Sequence, residues 1–376
     1  MSLRRAASRA LALALLSALG LLGCPGTQGR VVRLGPPDED AGPAGLPQER
    51  EILTEERTLS VPVAEGVTAS LGALLVRPKE GRGPAILMVP GGGDISRRGT
   101  RPGDGVSVYD KPADVHVAWA EALARRGALV LSWDKRSCGP NDDPQCTKNP
   151  QDDLDAAGPV ALAKDVDAAC ALVRGEGAFD GRIVLFAHGQ AGQVALSSSC
   201  AREAAALVLL APIPRGVDEV IVAGIKDRAR DVEKEAAAAK DPATQEALRE
   251  KAGQLRSLAG TREAEFASMK AGRFAPTARV GGATLAFWKG WIELTGKTAA
   301  LVDAGPAKKV VVLGELDHQY GSKDRVRIRA LSPEAYVEVK GADHHLLSTG
   351  RLLPATVDQV GAALDAALQP AAPPTG

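Results

Sequence analysis

The segment Arg182-Ile183-Val184-Leu185-Phe186-Ala187-His188-Gly189-Gln190-Ala191-Gly192-Gln193-Val194-Ala195-Leu196 decides the fold. Its first half, through Phe186, is a short apolar run rich in branched side chains, the pattern of a strand buried on both faces. From Gln193 to Cys200 the chain is small and Ala-rich, which suits a helix packed on a sheet. Between them lies a tight turn of small residues, so the segment reads strand, turn, helix.

Similar alternation runs outward from it. Two β-like stretches, Arg57 to Val63 and Ala69 to Arg77, are expected to form an antiparallel edge. Strand patterns follow at Ala85 to Val89, Ala128 to Trp133, Ile183 to Phe186 and Ala206 to Leu210. Helical patterns at Val115 to Arg126, Val160 to Arg174 and Gln193 to Arg202 separate them. Strands alternating with helices imply an α/β fold, a mostly parallel central sheet with helices on both faces. After Pro212 the pattern changes to long, charged, Ala-rich stretches, Val217 to Lys240 and Pro242 to Ala259, with Asp241-Pro242 as a cap and first-turn signal. Val217, Ile221, Ile225 and Val232 make one apolar stripe, and Leu248, Leu255 and Leu258 another. They suit either an inserted helical lid over the core or a solvated hairpin. The next segment carries Phe287, Trp288, Trp291 and Ile292, which either wall a pocket or pack the lid base. Strands at Lys309 to Leu313 and Ala335 to Val339, with helices at Asp324 to Ala330 and Val357 to Leu368, then complete the core.

The chain has 376 residues, enough for one large α/β domain with an insertion. Lys plus Arg and Asp plus Glu both number 46, and aromatic residues make up 3%. Neither the basic footprint nor the aromatic surface of a nucleic-acid binder is present. Arg4, Arg5 and Arg9 precede an apolar stretch from Ala10 to Gly23, too short to span a bilayer as a mature helix, which reads as a signal peptide over residues 1–23. Leu21-Leu22-Gly23-Cys24 resembles the lipobox of bacterial lipoproteins. That likeness implies lipidation of Cys24 and a bilayer anchor in the cell envelope. With Pro25 next, family analogy favours the outer membrane, facing the periplasm or the cell surface. The alternative is an ordinary cleaved signal with an incidental cysteine. Residues 24–50 are rich in Pro, Gly and acids and suit a flexible tether. The expected organisation is then a core over 51–212, a lid over 213–298, the rest of the core over 299–370, and a tail over 371–376.

Four cysteines remain beyond Cys24, an even number for an oxidising compartment. Cys138 and Cys146 bracket a turn-rich loop and are the first candidates for a disulfide. Cys170 and Cys200 sit on consecutive helices and either pair or are simply buried. No His/Cys cluster has metal-site spacing, and no cofactor is expected.

The central segment resembles the nucleophile elbow of the α/β-hydrolase superfamily, G-x-S-x-G, with Ala187, His188, Gly189, Gln190 and Ala191 in the five positions. Gly189 then stands where the serine belongs. Sliding the register by one would centre Gln190 but lose the preceding His and the Gly192-to-Leu196 continuation; in neither register is a nucleophile present. Further on, Gly314-Glu315-Leu316-Asp317 resembles the acid-bearing stretch of bacterial carboxylesterases, and Gly341-Ala342-Asp343-His344-His345-Leu346 the stretch bearing the catalytic histidine. The likeness implies Asp317 as the acid and His344 as the histidine, with His345 as fallback. Gly91-Gly92-Gly93-Asp94 resembles the loop that supplies one oxyanion N–H, from Gly92 or Gly93, with Gln190 supplying the second. Asp134-Lys135-Arg136-Ser137-Cys138-Gly139 resembles the family's D-x-R-G-x-G segment, with Ser137 departing from the usual Gly.

Order and spacing bind these pieces into one expectation. It is a membrane-anchored pseudo-hydrolase that binds a small ester or acyl-like ligand, or an envelope protein. The alternative is an active ester hydrolase in which His344, oriented by Asp317, activates water. Rescue by Ser96, Ser197, Ser198 or Ser199 is not expected.

Overall fold

Alternate residues of one strand go to opposite sides of the sheet, and both sides are apolar. In β3 (Gly83–Val89), Ala85, Leu87 and Val89 join one buried cluster while Ile86 and Met88 join the other. In β5 (Phe179–His188), Ile183, Leu185 and Ala187 divide from Val184 and Phe186 in the same way. Such unbroken apolar runs belong to strands covered on both faces. The computed structural model describes residues 50–91, 95–99, 114–136, 158–275, 278–280, 283–317, 319–332, 335–348 and 350–369.

Six further strands complete the sheet: β1 (Ile52–Ala64), β2 (Val67–Pro78), β4 (Leu129–Trp133), β6 (Ala206–Leu210), β9 (Lys309–Gly314) and β10 (Tyr336–Val339). Their order is β1-β2-β4-β3-β5-β6-β9-β10. β2 runs antiparallel to both β1 and β4, and the pairs from β4 through β10 are parallel. The expected antiparallel edge is thus β1 with β2, longer than its sequence signal. One face is covered by α1 (Val115–Arg125) and α9 (Pro354–Leu368), through Trp119, Leu123, Val360 and Leu364. On the other lie α2 (Pro159–Arg174) and α3 (Ala191–Ser197), through Val166, Val173 and Val194.

α3 is shorter than the expected helix through Arg202. Ser198 turns extended at ψ 155° and a 3₁₀ turn follows over Ser199–Arg202. Asp167 Oδ1 accepts the Cys200 N–H at 2.9 Å, and Cys170 and Cys200 form a disulfide with their Cα atoms 6.3 Å apart. Cys24, Cys138 and Cys146 lie outside the described residues, as do the signal and tether segments through residue 49.

The stretch expected as a lid holds α4 (Val217–Ala238), α5 (Pro242–Lys270), a two-stranded ribbon of β7 (Arg279–Val280) and β8 (Ala283–Thr284), and α6 (Leu285–Gly296). Helices α7 (Thr298–Ala304) and α8 (Ser322–Ala330) belong to the second part of the core. Asp241 caps α5 by accepting the Thr244 N–H at 2.8 Å. The stripe of α4 is buried as its spacing predicts, at Val217, Ile221, Ile225 and Val232. On α5 the buried positions are instead Ala252, Ala259, Arg262, Phe266 and Met269, the first, second and fourth of them seven residues apart, with Leu255 and Leu258 half-buried beside them. Small residues on that seam let the two helices approach closely. Trp288 and Trp291 are buried; Trp288 packs edge-on to Phe266 and Phe287 and donates its indole N–H to the Val280 carbonyl at 2.7 Å.

Candidate active site

Parallel strands deliver their carboxyl ends to one edge, and three of them converge there. β5 ends on His188, and Gly189 makes the turn into α3. Gly189 has φ +56°, in the left-handed region that glycine adopts without penalty, whereas Gln190 is right-handed at φ −63°. The Gly189 N–H donates to the Leu210 carbonyl at 2.8 Å, which ties the turn to β6. A Cβ built on Gly189 would meet no heavy atom within 4 Å among the described residues beyond its two chain neighbours. α3 sits so close to the sheet that a Cβ on Gly192 would lie 2.7 Å from the Leu209 side chain.

Beyond β9, Gly314 is pressed against the loop after β10, where a Cβ would fall 2.2 Å from the Asp343 carbonyl oxygen. That bare contact lets the two loops bond along their backbones. Glu315 N–H donates to Val339 O at 2.9 Å and Leu316 N–H to Ala342 O at 2.8 Å, while Glu315 Oε2 accepts the Gly341 N–H at 2.9 Å. The Arg325 guanidinium donates to the carbonyls of Gly314, Glu315 and Asp317 at 3.1, 2.9 and 2.8 Å. On the other side, Asp343 Oδ1 accepts from His345 N at 2.8 Å and Leu347 N at 2.9 Å, and Leu346 takes φ +60° to close the turn.

The result is a histidine–carboxylate pair. Asp317, 1% exposed, accepts from His344 Nδ1 at 2.9 Å through Oδ2 and from Gln319 N–H at 2.9 Å through Oδ1. Burial pushes its carboxyl pKa up, but the charge and hydrogen bond of His344, with the Gln319 N–H and His188, outweigh burial and hold it below the usual carboxylate value. When neutral, a ring whose Nδ1 donates carries its lone pair on Nε2, the tautomer needed by a general base. The His188 ring stands edge-on to that of His344, centroids 4.7 Å apart, and its Nε2 donates to the His344 carbonyl at 2.9 Å. His345, the fallback, lies 5.3 Å from His344 and 5.2 Å from His188 between ring centroids. Tyr320 completes the wall 5.7 Å from the His344 ring. Its hydroxyl donates to Ala211 O at 3.0 Å, and full burial raises its pKa far above the ordinary value, so it remains a neutral donor.

Gly92, Gly93 and Asp94 lie outside the described residues. Next to them, the buried Lys135 donates from Nζ to Gly91 O at 3.0 Å, and a Cβ on Gly91 would stand 3.0 Å from the His188 carbonyl oxygen. Asp134 is locked by Arg97, through the Arg97 N–H at 2.6 Å and Nη1 at 2.5 Å, and burial raises its pKa to about 6. Arg136 pairs with Asp165, likewise raised by burial to about 6. Three of the four serines weighed as substitutes are engaged elsewhere, and Ser199 lies exposed in the 3₁₀ turn beyond α3. Ser197 Oγ donates to Gln193 O, Ser198 Oγ to Ala195 O, and Ser96 Oγ accepts from Arg98 N. Trp288 and Trp291 belong to the buried packing of α6, and among the described residues no cluster of three or more His, Cys, Asp or Glu is arranged to hold a metal.

Sequence reasoning missed the contributions of His188, Tyr320, Arg325 and Asp343. His188 was visible as the residue before the turn, but its bond to the His344 carbonyl needs two loops 156 residues apart to meet.

A mostly parallel sheet whose central strand turns sharply into a helix beside a histidine–carboxylate pair defines a hydrolase-like α/β architecture. The sequence model described as the alpha/beta hydrolase family matches residues 86–351, and the chain belongs to that family. Among solved structures, the chain is similar to DcsB in complex with its substrate analogue, at 16% identity over 84% of this chain and 99% of that one, with a TM-score of 0.48. It is also similar to Est1E from Butyrivibrio proteoclasticus, at 15% identity, 82% and 99% coverage and a TM-score of 0.45. A thermophilic esterase from Thermogutta terrifontis, malate bound, is similar at 14% identity, 84% and 100% coverage and a TM-score of 0.45. Comparison with curated protein sequences finds no match.

Proposed function

We propose that this α/β hydrolase is a pseudo-hydrolase, which binds an ester or acyl-like ligand, or a partner in the cell envelope, without covalent turnover. The observation that carries the proposal is Gly189 at the elbow, left-handed at φ +56°, beside an intact His344–Asp317 pair. Acyl transfer in this family architecture starts with a side-chain oxygen on that turn, and glycine offers none. Loss of the serine in a triad hydrolase costs roughly 10⁶ in kcat. The Cys24 anchor, signal peptide and tether belong to the same proposal and place the domain at a bacterial membrane surface.

A second reading has its own support. The histidine–carboxylate pair is fully assembled, and no described residue beyond its two chain neighbours comes within 4 Å of the Cβ position of Gly189. His344 could there deprotonate a water for direct attack on an ester. The two readings separate in one assay of the wild-type chain with short-chain activated esters and a fluorophosphonate probe. The pseudo-hydrolase gives no label and no turnover above background. Probe-resistant turnover that disappears in His344→Gln establishes water attack, and a covalent label on any side chain of this site refutes both.

A further inference from the structure

At the opposite end of the sheet, where β3, β4 and β5 begin, lies a cavity of about 440 Å³. That is within the range of roughly 300–1,000 Å³ common to small-ligand sites. Four arginines line it: Arg50, Arg82, Arg126 and Arg182. Its floor is bare backbone. A Cβ on Gly127, at φ +104°, would lie 2.9 Å from Arg50 Nη1, and one on Gly361 would lie 2.5 Å from Arg126 Nε. Gly83 brings the Arg82 segment onto the same floor, since its Cβ would fall 1.9 Å from the Gly127 carbonyl oxygen. Leu123 and Leu364 form an apolar back wall.

Acidic partners reach only part of this cluster. Arg126 pairs with Asp358 at 3.3 Å and Asp365 at 2.8 Å, and Arg182 with Asp180 at 2.6 Å. Arg82 donates to the neutral Phe179 carbonyl at 2.9 and 2.5 Å, and neither it nor Arg50 has a carboxylate partner among the described residues. Two guanidinium charges therefore stand uncompensated at one concave site. A carboxylate is satisfied by one guanidinium fork, whereas a phosphate group presents enough oxygens and charge for two or more.

We propose that this cavity binds a phosphate-type anion, the chemistry shared by free phosphate and the headgroup of an anionic phospholipid. With the anchor of the proposed function, on which this point rests, the tether enters the described fold at Arg50, so the cavity adjoins the end of the domain nearest its membrane attachment along the chain. It is independent of the elbow and does not depend on whether His344 works as a base.

The test is protection from phenylglyoxal, an arginine reagent, mapped by mass spectrometry on the full chain in detergent or reconstituted in vesicles. Arg329, 61% exposed on α8, serves as internal reference. Inorganic phosphate is expected to slow modification of Arg50 and Arg82 at least tenfold relative to Arg329. Protection by phosphatidylglycerol vesicles beyond that by phosphatidylcholine vesicles assigns the headgroup as the source; protection by phosphate alone assigns a soluble anion. Protection by neither overturns the proposal. In the double variant Arg50→Gln/Arg82→Gln, the phosphate concentration protecting Arg126 should rise at least tenfold with an unchanged circular dichroism spectrum. An unchanged concentration would place the anion elsewhere and overturn it too.

Discussion

Gly189→Ser puts the elbow to a direct test. Among the described residues beyond its two chain neighbours, no heavy atom lies within 4 Å of the new Cβ, so these impose no steric barrier and the cost that remains is that of the backbone. At φ +56° an L-residue carries about 1–2 kcal/mol of left-handed strain. The less flexible unfolded chain offsets about 0.5 kcal/mol of that. The variant should thus lose about 1 kcal/mol and some 2–4 °C in Tm, and Gly189→Ala should lose the same. The new hydroxyl would project from the residue after His188, whose ring centroid lies 4.7 Å from that of His344, and the His344–Asp317 bond does not involve residue 189. Since the serine of a triad hydrolase is worth roughly 10⁶ in kcat, activity toward an activated ester should rise by up to about 10⁶ over wild type. Fluorophosphonate labelling should appear at residue 189 and vanish in Gly189→Ser/His344→Gln, and Gly189→Ala should remain inert. A folded Gly189→Ser chain, within 1 kcal/mol of wild type by urea unfolding, that neither labels nor hydrolyses would refute the assignment of Gly189 to the nucleophile position.

Breaking the disulfide with Cys170→Ala/Cys200→Ala releases a loop closed over a 30-residue separation and should cost about 3–4 kcal/mol, read as a fall of about 10 °C in Tm; no change on reduction would count against the bond. Asp165 binds a proton in the folded state near pH 6, but only near its ordinary value of 3.8 when unfolded. The native state therefore holds more protons between those values, and this group's contribution to stability falls as pH rises from about 4 to about 6, on the order of 1 kcal/mol per pH unit. Urea midpoints across that window, compared with Asp165→Asn, measure the contribution, and superimposable pH profiles would contradict it. Arg325→Gln leaves three loop carbonyls without their shared donor and should cost about 2–3 kcal/mol. It should also loosen Asp317, seen as broadening of the His344 Nδ1 proton resonance, which a purely global loss of stability would not produce in the folded spectrum.

The sheet was legible because each core strand is an unbroken apolar run set between helices of ordinary period, and β3 and β5 needed no tertiary information. Helix ends were harder. α3 stops at Ser197 because the chain turns extended to seat Cys200 against α2, a constraint imposed by the disulfide and by Asp167. α5 runs on to Lys270 because its seam is built from Ala252, Ala259 and Phe266, and alanine gives a weak apolar signal beside the leucines that flank it. At the site, Asp317 and His344 could be read from short motifs following strands. Arg325 and Asp343 act through backbone carbonyls and N–H groups, which any sequence possesses, so nothing in the local pattern marks them.

Asp317 and His344 are held by loops that grip one another: Gly314 against Asp343, Glu315 to Val339 and Gly341, Leu316 to Ala342. Gly189 supplies none of those grips. A single codon change at residue 189 can therefore add or remove a side chain at this turn while the companion pair stays assembled, so the turn and the proton relay are free to vary independently.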